Sequence, residues 1–328
     1  MKEADFRRGI WEALDEELAR DEDVVFFGED VARAGGVFQV TRDLQARHGP
    51  DRVFDTPISE LALSSAAFGG AATGLRPVIE VMFADFIALT MDSLINQAAK
   101  YWFLSNERQS VPLTVRATVG AGGQFGAIHS QIPVPWLQGI PGLKVVAPSS
   151  PYDAKAMLKA SIRDDNPVVL FEHKRLYPIK GELGGVDDLV PPGEASIVRE
   201  GSDLTIVTAM KGVPDALEAA ERLAGQGVDV EVLDLRSFRP LDAEAIVSSA
   251  EKTSRVLVVE EGPRTGGWAA DVLAVLAEDA LGDLDDVWRL TTPDLPIPYS
   301  PPLEKEFLPG PEAIESAVLS RAGIAAPA

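Results

Sequence analysis

The chain alternates short apolar runs with helical patterns, and it does so in both of its halves. Apolar residues at four-residue spacing predict an amphipathic first helix, namely Phe6, Ile10, Leu14 and Leu18. The apolar run Val24–Phe27, which is followed by a glycine, predicts a buried strand. Alternation of this kind is typical of an α/β fold in which helices cover both faces of a mostly parallel sheet.

The same reading predicts the other elements and one linker. Strands are predicted at 77–82, 113–117, 144–147, 167–171, 204–207, 228–233 and 255–259, and helices at 85–103, 151–162, 213–224, 241–250, 268–281 and 311–322. Between Tyr177 and Glu194 prolines, glycines and acids replace the pattern, which is typical of a linker. We therefore expect two three-layer α/β/α domains with mostly parallel sheets, residues 1–185 and 186–328.

One helix carries very little charge. Thr56 is a good N-cap and Pro57 suits the first helical position, so a helix is predicted to begin there. Residues 61–74 contain no charged residue and are small and apolar on every face, which predicts a buried helix. Glu60 then lies at the edge of an interior, where hydrogen bonds to a carboxylate are strengthened. A first-turn glutamate that only complements the helix dipole is the structural alternative.

Composition excludes several classes of function. The 30 basic and 51 acidic residues give a net charge of −21, which argues against nucleic acid as a partner but suits a basic protein. The chain has no cysteine, which excludes disulfides, thiolate metal sites and cysteine nucleophiles. Because no apolar run reaches about 18 residues and the first residues do not resemble a signal peptide, we expect a soluble cytoplasmic protein without membrane contact.

The common nucleotide and hydrolase motifs are missing. The chain has no G-x-x-x-x-G-K-[ST], no G-x-S-x-G and no H-E-x-x-H sequence, and its three histidines make a multi-histidine metal site improbable. Gly120–Gly126 is rich in glycine, but Phe125 breaks the dinucleotide spacing and no long helix is predicted after it. We interpret this stretch as an active-site or packing loop.

Specific segments, in order along the chain, resemble the beta subunit of the thiamine-diphosphate-dependent, decarboxylating component of 2-oxo acid dehydrogenase complexes. They are Asp55–Glu60, Gly74–Pro77, His129–Gln131, Pro141–Val146, Pro151–Lys155, Arg163–Val168, Asp234–Arg236 and Pro296–Tyr299. The resemblance implies a pyrimidine-binding thiamine-diphosphate domain followed by a transketolase C-terminal-type domain. It also implies decarboxylation of a 2-oxo acid, of pyruvate or branched-chain type, and acyl transfer to lipoyl-lysine of an acyltransferase core.

The resemblance also implies a missing partner. Thiamine enzymes hold the diphosphate through magnesium with a Gly-Asp-Gly sequence, which this chain lacks, since Leu284 follows Gly282 and Asp283. We expect an alpha subunit to bind the diphosphate and magnesium in an α2β2 heterotetramer. Small residues recur every four positions at Ala66, Gly70 and Gly74, a spacing that lets a helix of another subunit approach closely, although packing within the chain is an alternative.

The resemblance also implies residue roles. Glu60 is expected to hydrogen-bond a pyrimidine nitrogen of the cofactor, Phe86 and Ile58 to contact that ring, and His129 to act near the substrate and lipoyl entrance. Core packing is the alternative for Phe86, and a structural role is the alternative for His129. A structural potassium ion in several relatives would map to Leu113, Ser161, Ile162, Asp164 and Asn166, where a plain helix-ending turn is the alternative.

Other functions stay open on the sequence alone. An acetoin dehydrogenase beta subunit shares the same motifs, and Glu172–Tyr177 resembles both acetoin and branched-chain types. A split transketolase-like or deoxyxylulose-phosphate-synthase-like half is disfavoured, because those usually carry extra basic residues for sugar phosphates. From a different class, a non-catalytic flavodoxin-like interaction or electron-transfer subunit is the alternative. Leu295–Pro309 resembles the region where the acyltransferase core docks, and its acids suit a basic partner.

Overall fold

The computed structural model describes residues 2–321, which form two units. Unit 1 consists of the chain up to Val119 and of Trp136–Pro192, and unit 2 consists of Gly120–Pro135 and the chain from Gly193 onward. The 185/186 domain boundary stays a prediction. None of the helices within residues 2–321 is both long and apolar enough to cross a membrane.

A parallel sheet forms the centre of unit 1. The strands, in chain order, are β1 (Lys2–Asp5), β2 (Val24–Gly28), β3 (Val53–Asp55), β4 (Arg76–Val81), β5 (Thr114–Val119), β6 (Lys144–Val146), β7 (Val168–His173) and β8 (Lys180–Leu183). Within the unit, neighbouring strands run in the order β6-β7-β5-β4-β2-β3, and all five pairings are parallel. Strands β1 and β8 form a separate antiparallel pair. The second of these lies inside the stretch where the sequence predicts a linker.

The helices of this part of the chain are α1 (Phe6–Arg20), α2 (Leu44–His48), α3 (Glu60–Ala72), α4 (Ala99–Leu104), α5 (Val134–Gln138) and α6 (Pro151–Arg163). The predicted apolar stripe of α1 is confirmed, because Phe6, Ile10, Leu14 and Leu18 are all buried. Val24–Gly28 is buried along its whole length, as expected of a strand covered on both faces.

The long helix predicted over 85–103 is not one regular helix. The chain forms a 3-10 helix at Ala84–Thr90, a π-helix at Asp92–Ala98 and then α4. The carboxylate of Asp92 accepts hydrogen bonds from Asn96 at 2.8 Å and from Gln97 at 2.9 Å. The second of these bonds spans five residues, which is the repeat of a π-helix. These side chains therefore favour the wider turn that the apolar pattern does not reveal.

A buried charge cluster joins three neighbouring strands of unit 1. The Arg116 guanidinium on β5 binds both carboxylate oxygens of Glu172 on β7, at 2.7 and 2.9 Å, and donates to Glu80 on β4 at 2.7 Å. The Tyr177 hydroxyl donates to Glu172 at 2.9 Å. Burial opposes the charge on Arg116, but Glu172 and Glu80 outweigh that effect and raise its pKa. The cluster fixes the register of these strands, since a slip would leave a buried charge unpaired.

Unit 2 contains a second, mostly parallel sheet. The strands of unit 2 are β9 (Ser196–Arg199), β10 (Leu204–Thr208), β11 (Val230–Asp234), β12 (Ser237–Arg239), β13 (Arg255–Pro263) and β14 (Asp286–Thr292), and its helices are α7 (Gly212–Ala224), α8 (Ala243–Thr253), α9 (Ala269–Asp279), α10 (Pro301–Phe307) and α11 (Pro311–Arg321). The second sheet does not include β12. Its order is β14-β13-β10-β11-β9, and only the edge strand β9 is antiparallel. The predicted last helix is present to Arg321, and Ala322 lies outside the described residues.

Helices cover both faces of this sheet. Leu204 and Ile206 of β10 belong to a core that also contains Ile314 and Val318 of α11. Thr205, between them in sequence, faces the other way, and its hydroxyl donates to the Ser249 carbonyl of α8 at 3.4 Å. The predicted α/β class with mostly parallel sheets is therefore confirmed.

Candidate active site

Glu60 is the first residue of α3, which follows the carboxyl end of β3. The Ser59 hydroxyl caps this helix by accepting a hydrogen bond from a first-turn N–H at 3.4 Å. The predicted helix start at Thr56 and Pro57 is therefore wrong. The chain is still extended there, because the Thr56 N–H donates to the Gly28 carbonyl at 2.9 Å and so prolongs the pairing of β2 with β3.

A second carboxylate lies close to Glu60. Glu29 directly follows β2 and is 7% exposed, while Glu60 is 8% exposed. Burial raises the pKa of Glu29, the charge of Glu60 raises it further, and the Ser59 N–H opposes both by donating to the carboxylate. Within residues 2–321, the Oε1 atom of Glu29 has no hydrogen-bond partner. The pair is thus a buried acidic site in which at least one carboxylate oxygen can accept a further hydrogen bond.

Glu29 was not predicted as a site residue. The available signal was an acidic residue immediately after a fully apolar strand, because ligands of open α/β sheets bind at the carboxyl ends of the strands. Only the pairing of β2 with β3, which sets Gly28 opposite Asp55, brings this position close to the helix that begins at Glu60.

The two residues expected to contact a cofactor ring differ in burial. Phe86 is half-buried in the 3-10 helix Ala84–Thr90, and this helix packs against α3. Ile58 is 85% exposed in the turn that leads into α3. Glu60 and Phe86 therefore lie on elements in direct contact, and the side chain of Ile58 extends from the surface of unit 1.

Helix α3 is not buried on every face, so that prediction is wrong for this chain by itself. Leu63, Ala67 and Ala71 are buried, whereas Leu61 is 54% exposed and Ala66 is also exposed. An apolar cavity of about 450 Å³ lies beside the helix and is lined in part by Phe27, Phe54, Ala66, Gly70 and Pro77. The exposed face consists mainly of small residues, which leaves room for another backbone.

His129 belongs to unit 2, whereas Glu60 belongs to unit 1. His129 is half-buried, and its backbone N–H donates to the Gly126 carbonyl at 3.4 Å. The glycine-rich stretch before it is held by two carboxylates. The Ala121 N–H donates to Glu261 at 2.6 Å, and the Gly122 N–H donates to Glu304 at 2.8 Å. The N–H groups that a nucleotide loop would direct at phosphate are directed here at the protein's own carboxylates.

Another buried carboxylate, that of Glu260, directly precedes Glu261 in the sequence. Glu260 is 1% exposed and accepts hydrogen bonds from the N–H groups of Trp268 at 2.9 Å and Ala269 at 3.0 Å, where α9 begins. Burial raises the pKa of Glu260 to about 7, although these two N–H groups oppose the shift. This side chain therefore changes its charge near neutral pH.

Potassium was expected at oxygens of Leu113, Ser161, Ile162, Asp164 and Asn166. Oxygens of the first four residues have other partners. Arg76 donates to the Ile162 carbonyl at 3.0 Å and to the Asp164 carbonyl at 2.9 Å, and Lys144 pairs with the Asp164 carboxylate. A potassium ion about 4 Å from the charge of Arg76 or Lys144 would be repelled by about 4 kcal/mol, at a typical effective dielectric constant near a protein surface. Arg76 and Lys144 thus compete with a cation for the oxygens of Ile162 and Asp164, and potassium here stays a prediction.

Comparison with known proteins gives consistent matches along nearly the whole chain. Residues 2–180 match the transketolase pyrimidine binding domain, and residues 193–314 match the transketolase C-terminal domain. The 2-oxoisovalerate dehydrogenase subunit beta of Bacillus subtilis is 45% identical over 93% of this chain and 94% of that protein.

Two further relatives with different names have nearly the same sequence identity to the chain. The beta subunit of the acetoin:2,6-dichlorophenolindophenol oxidoreductase of Cupriavidus necator is 43% identical over 94% of each chain. The pyruvate dehydrogenase E1 component subunit beta of Porphyra purpurea is 43% identical over 93% of each chain. Among solved structures, a split-gene transketolase, described as an inactive beta4 tetramer, shares the fold with a TM-score of 0.80, 24% identity and coverage of 97% of this chain and 98% of that chain.

Proposed function

The chain belongs to the family of dehydrogenase beta subunits built from transketolase pyrimidine-binding and C-terminal domains, and we propose that it is the beta subunit of a thiamine-diphosphate-dependent 2-oxo acid dehydrogenase. The proposed reaction removes carbon dioxide from a 2-oxo acid and transfers the acyl group to lipoyl-lysine of an acyltransferase core. The observation that carries this proposal is the buried pair Glu29 and Glu60 in the unit that matches the pyrimidine-binding domain.

The acidic pair fits the pyrimidine ring of the cofactor. A buried carboxylate with an unsatisfied oxygen, as in Glu29, suits a site that a hydrogen-bond donor is to enter. We assign the contact with the ring nitrogen to Glu60, because a carboxylate in a dry site makes a short, charge-assisted hydrogen bond to a protonated nitrogen. Once bound, thiamine diphosphate supplies the nucleophilic carbon that attacks the 2-oxo acid. Glu60 keeps a proton at the ring nitrogen, and Phe86 and Ile58 pack against the ring.

His129 is proposed to act in the transfer of the acyl group. A histidine near neutral pH can donate a hydrogen bond to a developing oxyanion or carry a proton. Its place after the glycine-rich loop supports this role, because that loop is anchored by Glu261 and Glu304 and so holds the imidazole on a defined backbone. The 2-oxo acid and the lipoyl group would reach this residue in turn.

An alpha subunit completes the proposed enzyme. The chain has no Gly-Asp-Gly sequence for the diphosphate and its magnesium ion, so we assign that function to the alpha subunit of an α2β2 heterotetramer. The exposed face of α3, which includes the small residues Ala66 and Gly69, supports an interface with another subunit. The acyltransferase core is proposed to dock at Leu295–Pro309.

Two substrate classes compete. The branched-chain, pyruvate and acetoin relatives are 45%, 43% and 43% identical to the chain, so identity does not separate them. We propose a 2-oxo acid of pyruvate or branched-chain type, and acetoin is the second candidate because two acetoin-type relatives have this level of identity. The family assignment leaves the flavodoxin-like alternative without support.

The decisive experiment compares two preparations. One is the chain alone, and the other is the chain co-expressed with the alpha subunit that the same genome encodes. Thiamine diphosphate is expected to bind only to the pair. The pair is then assayed with an artificial electron acceptor on pyruvate, branched-chain 2-oxo acids, 2-oxoglutarate and acetoin, and turnover of a 2-oxo acid is expected. Tight binding of flavin by the chain alone, or turnover of none of these substrates by a cofactor-loaded pair, would contradict the proposal.

A further inference from the structure

A carboxylate on helix α10 holds the loop that leads to His129. Glu304 is only 4% exposed, although its neighbours Lys305 and Glu306 are both exposed. One of its oxygens accepts the Gly122 N–H at 2.8 Å, and both accept the Gln124 N–H at 3.2 Å. A side chain turned inward from a short surface helix thus makes three contacts with backbone 180 and more residues away in the chain.

The loop backbone is shaped to receive this carboxylate. Positive φ angles occur at alternate residues, 92° at Gly120, 92° at Gly122, 61° at Gln124 and 72° at Gly126. Such alternation is typical of an anion-binding nest, and here it directs the Gly122 and Gln124 N–H groups at the Glu304 carboxylate. Among the described residues no lysine or arginine pairs with Glu304, so the N–H dipoles of the loop are what balances its charge.

A second contact joins the same segment to the loop. A Cβ atom added at Gly126 would lie 3.3 Å from the Tyr299 ring, so glycine is needed where the loop passes this ring. Tyr299 thus lies beside the loop at Gly126, while Glu304 binds it at Gly122 and Gln124. His129 follows only three residues after Gly126. Because the His129 N–H also donates to the Gly126 carbonyl, the position of the histidine depends on that of the loop.

We infer that Glu304 is a positioning residue for acyl transfer, because it fixes the glycine-rich loop and through it the imidazole of His129. The inference rests on the proposed function of His129. It predicts that loss of the Glu304 carboxylate impairs the lipoyl step much more than cofactor binding or decarboxylation, which we assign to residues of unit 1. A purely structural role would affect all three steps together.

The test uses the assembled heterotetramer with Glu304→Ala and, as a matched control, Glu278→Ala at an exposed glutamate of α9 in the same unit, outside the proposed docking segment. Hydrogen exchange is measured at the amides of Gly122 and Gln124, which we expect to exchange at least about tenfold faster in Glu304→Ala and at the wild-type rate in the control. The kcat for acylation of a free lipoyl domain is expected to fall about 100-fold, since a displacement of about 1 Å has that effect. Decarboxylation with an artificial acceptor is expected to stay near the wild-type rate, because the residues assigned to it lie in unit 1.

Two further variants make the outcome decisive. Glu304→Gln keeps one acceptor oxygen and is expected to lie between wild type and Glu304→Ala in both amide exchange and lipoyl acylation. It replaces Glu304→Ala in the test if the alanine variant does not fold. His129→Ala combined with Glu304→Ala is expected to be no slower in lipoyl acylation than His129→Ala alone. Unchanged exchange in Glu304→Ala, or faster exchange with wild-type acylation, would overturn the inference. A wild-type rate in His129→Ala alone would instead contradict the proposed role of the histidine.

Discussion

The charge of Glu60 raises the pKa of Glu29, although the two residues are 31 positions apart and lie on different elements. Burial is the larger cause of the shift, and the Ser59 N–H opposes it. Glu29 follows β2, while Glu60 begins α3, and the parallel pairing of β2 with β3 brings these positions to one edge of the sheet. One member of such a pair carries a proton more readily than an exposed carboxyl group, which suits a site that exchanges protons with a bound ring.

Glu60→Gln is expected to reduce decarboxylation by the assembled enzyme by at least about 100-fold, because proton transfer by a positioned side chain contributes that much or more. The amide has the shape of the carboxylate but lacks the charge that favours a protonated ring nitrogen. Turnover with an artificial acceptor measures the effect, and size-exclusion chromatography checks that the tetramer still forms. Glu22→Gln, at an exposed glutamate of the same unit, is the control. Near-wild-type turnover of Glu60→Gln would remove Glu60 from the mechanism.

Glu260 is expected to make the stability of the chain depend on pH. Its pKa in the folded chain is about 7, above the ordinary value of 4.5, so the folded state binds more protons between these values. The free energy of unfolding should therefore fall as the pH rises from about 4.5 through about 7, by about 3 kcal/mol for this group. Glu260→Gln has no charge at any pH and should remove that part of the fall.

Urea unfolding of wild type and Glu260→Gln between about pH 5 and pH 8 measures this difference. Relative to wild type, the variant should gain stability as the pH rises. Glu278→Gln, at an exposed glutamate of helix α9, is expected to follow the wild-type curve. Parallel curves for wild type and Glu260→Gln would mean that the buried carboxylate does not titrate in this range.

Arg76 is expected to make the chain independent of potassium. Its guanidinium already donates to the Ile162 and Asp164 carbonyls, so exchanging potassium chloride for choline chloride should move the wild-type Tm by less than about 2 °C. Arg76→Ala removes this charge from the carbonyls and should have a lower Tm that potassium, but not choline, partly restores. Arg108→Ala, at an exposed arginine, is the control. A wild-type Tm that rises by several degrees with potassium would show that the ion binds beside Arg76.

Gly69→Leu is expected to block assembly without harming the fold. A Cβ atom at Gly69 would meet no heavy atom within 4 Å, and leucine favours a helix more than glycine does. The isolated variant should therefore unfold at or above the wild-type temperature. If the exposed face of α3 meets another subunit, the larger side chain should prevent the heterotetramer from forming. Native mass spectrometry with the alpha subunit measures this.

Gly282→Leu is the matched control, because a Cβ atom there also has no neighbour within 4 Å and the residue lies in unit 2. It should assemble like wild type. Full assembly of Gly69→Leu would exclude this face of α3 as a subunit seam.

Elements with a strong local pattern were predicted well. The four-residue spacing of Phe6 to Leu18 gives α1, and the apolar run from Val24 gives β2, because these patterns repeat over a few residues. The edge strand β9 was missed, since it is partly exposed and its pairing with β11 joins residues more than 30 positions apart. Helix α10 was also missed, although a serine followed by two prolines is a recognisable helix start.

The sequence by itself determined the class of fold, the motif around Glu60, the absence of cysteine and the lack of a Gly-Asp-Gly sequence, because each is a property of neighbouring residues or of composition. Only the tertiary structure decided that Glu29 lies near Glu60, that Arg76 holds the carbonyls expected to bind potassium, and that Glu304 holds the loop before His129. The last two contacts join residues 86 and 182 positions apart. Such contacts depend on the path of the whole chain, and local spacing carries no information about that path.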